Sequence, residues 1–127
     1  MGRTHSCQNW DIWFVRWWHE NSKNPDNDRK ERRVVFMFEQ GEKLFFLYVS
    51  TVLKDEERVV VDPKDPEFHD TGLSELSYIY PGTVKEVDPD DLLGERRVGF
   101  LGPGYRQKVM DVLTVLNARR RRKPDQP

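Results

Sequence analysis

The chain contains one cysteine, Cys7, so no internal disulfide can form and the disulfide-framed class of small secreted domains is excluded. It has no apolar run near the roughly 20 residues that span a bilayer as a helix. Residues Met1 to Asn9 lack the apolar centre of a signal peptide. These absences point to a soluble, cytoplasmic protein with no membrane partner. An excess of either charge is also missing: 21 Lys and Arg stand against 22 Asp and Glu, for a net charge of −1. A polycation that coats nucleic acid is thereby excluded, and any RNA site must be a local patch. No internal repeat is visible. Asp62, Asp65, His69 and Asp70 match no metal-ligand spacing, and neither a metal nor a cofactor is expected.

What is present is a series of short apolar runs within one domain's length. Trp10 to Trp18, rich in aromatic and β-branched residues, reads as a first strand. His19 to Glu31 is polar, with Asn-Pro and Asp-Asn turn signals, and reads as a long exposed loop of the kind that is functional or disordered. Arg33 to Glu39 and Leu44 to Thr51 flank Gln40-Gly41-Glu42-Lys43 as a β-hairpin. Both runs are apolar on both faces, so the hairpin is expected at the centre, covered on each side. Val52 to Gly72, acidic and interrupted by Pro63 and Pro66, reads as a solvated excursion with at most a short strand at Arg58 to Val61.

Leu73 to Tyr80 and Thr83 to Val87 are read as strands around a Pro81-Gly82 turn, Asp88 to Leu93 as a one-turn helix, and Arg97 to Leu101 as the last strand. Beyond Gly102-Pro103-Gly104, the spacing of Val109, Val112, Leu113 and Leu116 predicts an amphipathic helix that packs on the sheet. The expected fold class is mainly β with one C-terminal helix (α+β), a small barrel over residues 10–118. Residues 1–9 read as a flexible N-terminus and 119–127 as a basic disordered tail.

Several stretches, in this order, resemble the PemK/MazF family of toxin ribonucleases. Asp11-Ile12-Trp13-Phe14-Val15 is similar to the family's first strand, with Trp10 where a Gly is usual. Arg32-Arg33-Val34-Val35-Phe36 resembles its Arg-Pro-Val-Leu-Val, with Arg33 in place of the Pro. Tyr48-Val49-Ser50-Thr51 looks like the end of its third strand, and Leu76-Ser77-Tyr78-Ile79, Val98-Gly99-Phe100-Leu101 and the final helix complete the likeness, which spans Trp10 to Leu116. The resemblance implies an SH3-like barrel of the PemK/MazF/CcdB type and a homodimer. It implies metal-independent, sequence-selective cleavage of single-stranded RNA, restrained by a cognate antitoxin.

Cleaving RNA without a metal needs a base for the 2′-OH, an acid for the leaving 5′-oxygen, and cations or donors on the phosphate oxygens. Arg32, at the family's essential Arg, suits the phosphate because its fork matches two oxygens and never deprotonates; alternatively it is one cation of a solvated charge run. Ser50 matches the family's hydroxyl, with Thr51 as the neighbouring candidate, although both are also ordinary strand residues. Where some family members carry an Arg and an Asp, this chain has Ser77, Tyr78 and Ile79. His19 in the long loop is a catalytic candidate, since imidazole titrates near neutrality, and His69 in the acidic excursion is open on the same ground, although a lone loop histidine is more often only solvent-exposed. Arg29, Lys30, Arg33, Trp18, Ser77 and Tyr78 are candidate substrate contacts. Trp10, Trp13 and Trp17 read as core or interface. Two other functions stay open: a non-catalytic barrel that binds RNA or protein, and a CcdB-like toxin acting on gyrase.

Overall fold

The computed structural model describes residues 9–17, 32–88 and 92–122, and for residues 16–17, 92–95 and 121–122 the backbone alone. Among the described residues there are six strands: β1 (Asp11–Trp17), β2 (Arg32–Gln40), β3 (Lys43–Ser50), β4 (Val59–Val61), β5 (Ser77–Val87) and β6 (Leu92–Phe100). A 3-10 turn covers Phe68–Thr71, and one helix, α1, covers Pro103–Arg122. The strands form one antiparallel sheet in the order β4-β5-β3-β2-β1-β6, curled into a half-barrel closed by the C-terminal helix. The fold class is as expected. Among the described residues, no helix is long and apolar enough to cross a membrane.

The β2–β3 hairpin is central, as its two apolar faces require. Alternation sends Val35, Leu47 and Val49 into a first core with Ile12, Ile79, Val61, Phe68, Leu101, Tyr105 and Val109. Val34, Phe36, Leu44 and Phe46 go to a second core on the opposite face, with Val15 and Val87. Phe36 and Phe46, paired across the two strands, meet edge to face at 5.9 Å. Trp13 packs against the second core and Trp10 against the first. Asp11, buried at the start of β1, accepts a two-pronged contact from Arg97 of β6, at 3.1 and 3.3 Å, which ties the edge strand down.

Several elements differ from the sequence reading; the strand expected from Leu73, for one, starts only at Ser77. Pro81-Gly82 makes no turn: β5 runs through it, and the register with β3 jumps from Leu47↔Val84 to Tyr48↔Tyr80. Residues 81–83 bulge out of the ladder, which is where a proline with no N–H can sit. Of the one-turn helix expected over Asp88 to Leu93, residues 89–91 lie outside the described residues, and Leu92 and Leu93 belong to β6, where pairing with β1 outweighs the helix-start signal. The last strand accordingly starts five residues earlier than read. The excursion from Val52 to Gly72 is only partly solvated, because Val59, Val61, Phe68 and Thr71 are buried. Finally, α1 continues through Arg122, so Arg119 to Arg122 of the expected tail are helical.

Helix α1 is anchored by acids that its own sequence does not supply. Pro103 opens it, and the Glu67 carboxylate accepts from the Gly104 N–H at 3.0 Å and the Tyr105 N–H at 3.3 Å, satisfying free amides at the positive end of the helix. The Tyr105 hydroxyl donates to Asp65 Oδ2 at 2.7 Å. Gly99 lets β6 pass against the 3-10 turn, where a Cβ would overlap the Asp70 and Thr71 carbonyls.

The Tyr105 hydrogen bond, and then the Asp62 amide, hold the Asp65 carboxyl below its usual range; burial first, and then the Asp65 carboxylate, hold the Tyr105 hydroxyl above its own. The depressed Asp65 value makes its contribution present above the ordinary carboxylate range and lost as pH falls through the folded-state value. The raised Tyr105 value makes its contribution present below the ordinary phenol range and lost as pH rises through the folded-state value. Tyr105→Phe should therefore cost about 1–2 kcal/mol at neutral pH, measured by urea denaturation, and should weaken the acid dependence of stability. An unchanged acid limb would show that this pair is not the source.

Candidate active site

The ends of the central strands converge at one place. Val34 pairs with Tyr48, and two residues further β2 begins at Arg32 while β3 ends at Ser50. Alternation puts Arg32, Tyr48 and Ser50 on the face that carries the second core. Ser50 in turn pairs with Tyr78 of β5, and Ser77 with Val61 of β4. Arg32, Arg33, Tyr48, Val49, Ser50, Thr51 and Ser77 line a cleft of about 140 Å³ at this junction.

The polar groups of the cleft are differently occupied. Ser50 Oγ accepts the Val52 N–H at 3.0 Å, which occupies a lone pair and leaves the O–H proton to donate elsewhere. Ser77, buried, donates to the Glu75 carbonyl at 2.9 Å, so its hydroxyl proton is already used. Arg32 is exposed and Thr51 is exposed. Arg33 lays its guanidinium 4.7 Å from the Phe14 ring centre, and Arg96 of β6 lies 4.9 Å from the same ring. No ion pair among the described residues neutralises Arg32, Arg33 or Arg96.

Structure comparison pairs the chain with the Mycobacterium tuberculosis toxin MazF-mt6 at a TM-score of 0.55 and 17% identity, over 80% of this chain and 90% of that one. The chain has the MazF toxin fold. No family model and no curated protein matches it.

Within this MazF-type sheet, the cleft brings together Arg32, Ser50, Thr51, Arg33 and Ser77 of the residues singled out in the sequence. Tyr78 lies beside the cleft, not in it; its ring is 6.4 Å from that of Tyr80, which is 6.1 Å from that of Tyr48. His69 is exposed on the 3-10 turn and does not reach the cleft. His19, Trp18, Arg29 and Lys30 lie outside the described residues. Asp62 and Asp65 form a turn, with the Asp62 N–H donating to Asp65 Oδ2 at 3.1 Å.

Sequence reasoning missed three residues at this junction. Tyr48 was legible in principle, because it shares a face with Ser50 at the strand period of two. Lys85 needed the irregular β3–β5 register, and Lys54 needed the path of the loop after β3. That loop is held by Tyr80, fully buried, whose hydroxyl donates to the Val52 carbonyl at 2.6 Å and accepts from the Lys54 N–H at 2.8 Å. Tyr80→Phe should keep the ring's packing and remove both bonds, costing about 1–2 kcal/mol. Amide hydrogen exchange should then accelerate selectively at Lys54; unchanged exchange there would mean that the loop is held by other contacts.

Proposed function

We propose that the chain is a toxin endoribonuclease that cuts single-stranded RNA. The observation that carries this reading is the convergence, in one cleft of a MazF-type sheet, of a guanidinium without an ion-pair partner among the described residues and hydroxyls from the neighbouring strand end. In the reaction, the 2′-oxygen of the substrate attacks the adjacent phosphorus, the O2′–P bond forms and the P–O5′ bond breaks. The products are a 2′,3′-cyclic phosphate and a 5′-hydroxyl. Arg32 binds two non-bridging oxygens with its fork, and strengthens its hold as charge builds on them. Ser50, oriented by the Val52 amide, donates its proton to the same phosphate, and Thr51 stands next to it as a second hydroxyl. Proton transfer to and from the two ester oxygens is assigned to His19.

Arg33, Ser77, Tyr78, Trp18, Arg29 and Lys30 serve as further substrate contacts. No cofactor or metal enters this scheme, since the nucleophile is internal to the substrate. The protein acts in the cytoplasm, and a cognate antitoxin lays an acidic segment across the same cationic groove. A homodimer is favoured by an exposed apolar surface: Phe38 and Phe45 stack at 4.7 Å, and Val84 lies on the same face.

Arg32→Ala should leave the fold intact and lower RNA cleavage by about 100-fold or more. Arg32→Lys should recover only part of the loss, because a point charge does not replace a two-pronged fork. Cleavage by the wild type should persist in EDTA and yield cyclic-phosphate ends, read by mapping the products of a mixed RNA. Dependence on a divalent ion, or activity that survives loss of both the Arg32 and Ser50 side chains, would overturn this site. Absence of cleavage across varied RNAs would turn the reading to a binding module.

A further inference from the structure

The Tyr48 ring, which lines the cleft, gathers beside it two cations that the cleavage chemistry does not use. The Lys54 ammonium lies 4.7 Å from the centre of the Tyr48 ring, and the Lys85 ammonium 6.0 Å from it. They arrive from different elements: Lys54 from the loop pinned by Tyr80, Lys85 from β5, where it pairs with Phe46 and so faces the same side as Tyr48 and Ser50. Two like charges gathered at one ring repel each other, and among the described residues neither has a carboxylate partner. Of the acids that follow Lys54 in sequence, Asp55 pairs with neither lysine among the described residues, Glu57 pairs with Arg119 at 2.8 Å, and Glu56 accepts from Thr83 at 3.0 Å. The Tyr48 hydroxyl, unlike that of Tyr80, makes no hydrogen bond among the described residues.

Converging ammonium groups beside a ring suit a ligand that brings both an anion and a flat apolar surface. A nucleotide does so: its phosphate takes the cations and its base stacks on the ring. We propose that Tyr48, Lys54 and Lys85 form a nucleotide subsite, which holds the phosphate and base of the nucleotide adjoining the scissile phosphate at Arg32 and Ser50. The assignment rests on the RNA-cleaving reading of the cleft. On binding, each ammonium exchanges a weak contact with the ring for a charge-assisted bond to phosphate. The ring face they vacate is then free for the base, so Tyr48 contributes to which base is accepted next to the cut.

The test compares the full-length wild type with Lys54→Met/Lys85→Met, Tyr48→Leu and Tyr48→Phe. Binding of a fluorescein-labelled 2′-deoxy oligonucleotide, which cannot be cleaved, is followed by anisotropy across a salt series, and thermal melting checks folding. The double lysine variant should bind about tenfold more weakly at low salt, and its log–log salt slope should fall by about 0.7 for each phosphate that is no longer neutralised. Tyr48→Leu should weaken binding about tenfold with the slope unchanged, and Tyr48→Phe should recover most of that loss. On the cleavable RNA, the double variant should raise KM more than it lowers kcat, in contrast to Arg32→Ala. If the wild type binds and the double variant keeps its affinity and slope, the subsite is wrong while the cleavage reading stands. If the double variant keeps its affinity for the oligonucleotide and loses it for polyglutamate, the lysines serve an acidic protein partner and the proposal falls. A wild type that neither binds nor cuts would overturn both.

Discussion

Strand β3 is hydrogen-bonded along both edges, to β2 on one side and β5 on the other, and each of its faces must then be covered by something. That constraint organises the molecule. Leu47 and Val49 bring α1, β4 and the 3-10 turn onto one face, while Leu44 and Phe46 close the second core on the other. Because antiparallel neighbours end where their partner begins, the end of β3 coincides with the start of β2 and lies close to the start of β5. A cleft at that corner follows from the pairing, and the residues at the three strand ends line it.

The same constraint explains how a chain with almost no net charge assembles a cationic site. Its carboxylates are drawn into structural tasks: Asp11 holds Arg97 and the edge strand, Glu67 caps α1, Asp65 takes the Tyr105 hydroxyl, and Glu57 pairs with Arg119. Arg32, Arg33, Lys54 and Lys85 are left near the cleft without ion-pair partners among the described residues. The field at the site thus comes from where the acids are engaged, which net composition cannot reveal.

Local signals were accurate where a local rule governs. The hairpin around Gly41 and the apolar stripe of α1 lie where turn chemistry and helical spacing put them, because those preferences need only near neighbours. Legibility failed where two remote segments decide. Pro81-Gly82 has the composition of a turn, yet the ladder with β3 resumes on both sides of it and keeps the chain extended. Asp88 to Leu93 has the composition of a helix start, yet Leu92 and Leu93 belong to β6, where Leu92 pairs with Trp17 of β1. In both cases long-range hydrogen bonds outweighed a local preference.

The sequence by itself determined the mainly-β character with one terminal helix, the central place of the β2–β3 hairpin, and the presence of a cation and a hydroxyl at the strand ends, since alternation and turn chemistry are properties of adjacent residues. Only the tertiary structure decided that the Ser77 hydroxyl would be taken up by Glu75, that Tyr80 would fasten the loop bearing Lys54, and that Lys54 and Lys85 would meet at the Tyr48 ring. Those meetings depend on strand register and on the three-residue bulge in β5, which shifts every later residue relative to β3 and is set by the fit of whole faces, not by any short stretch of chain.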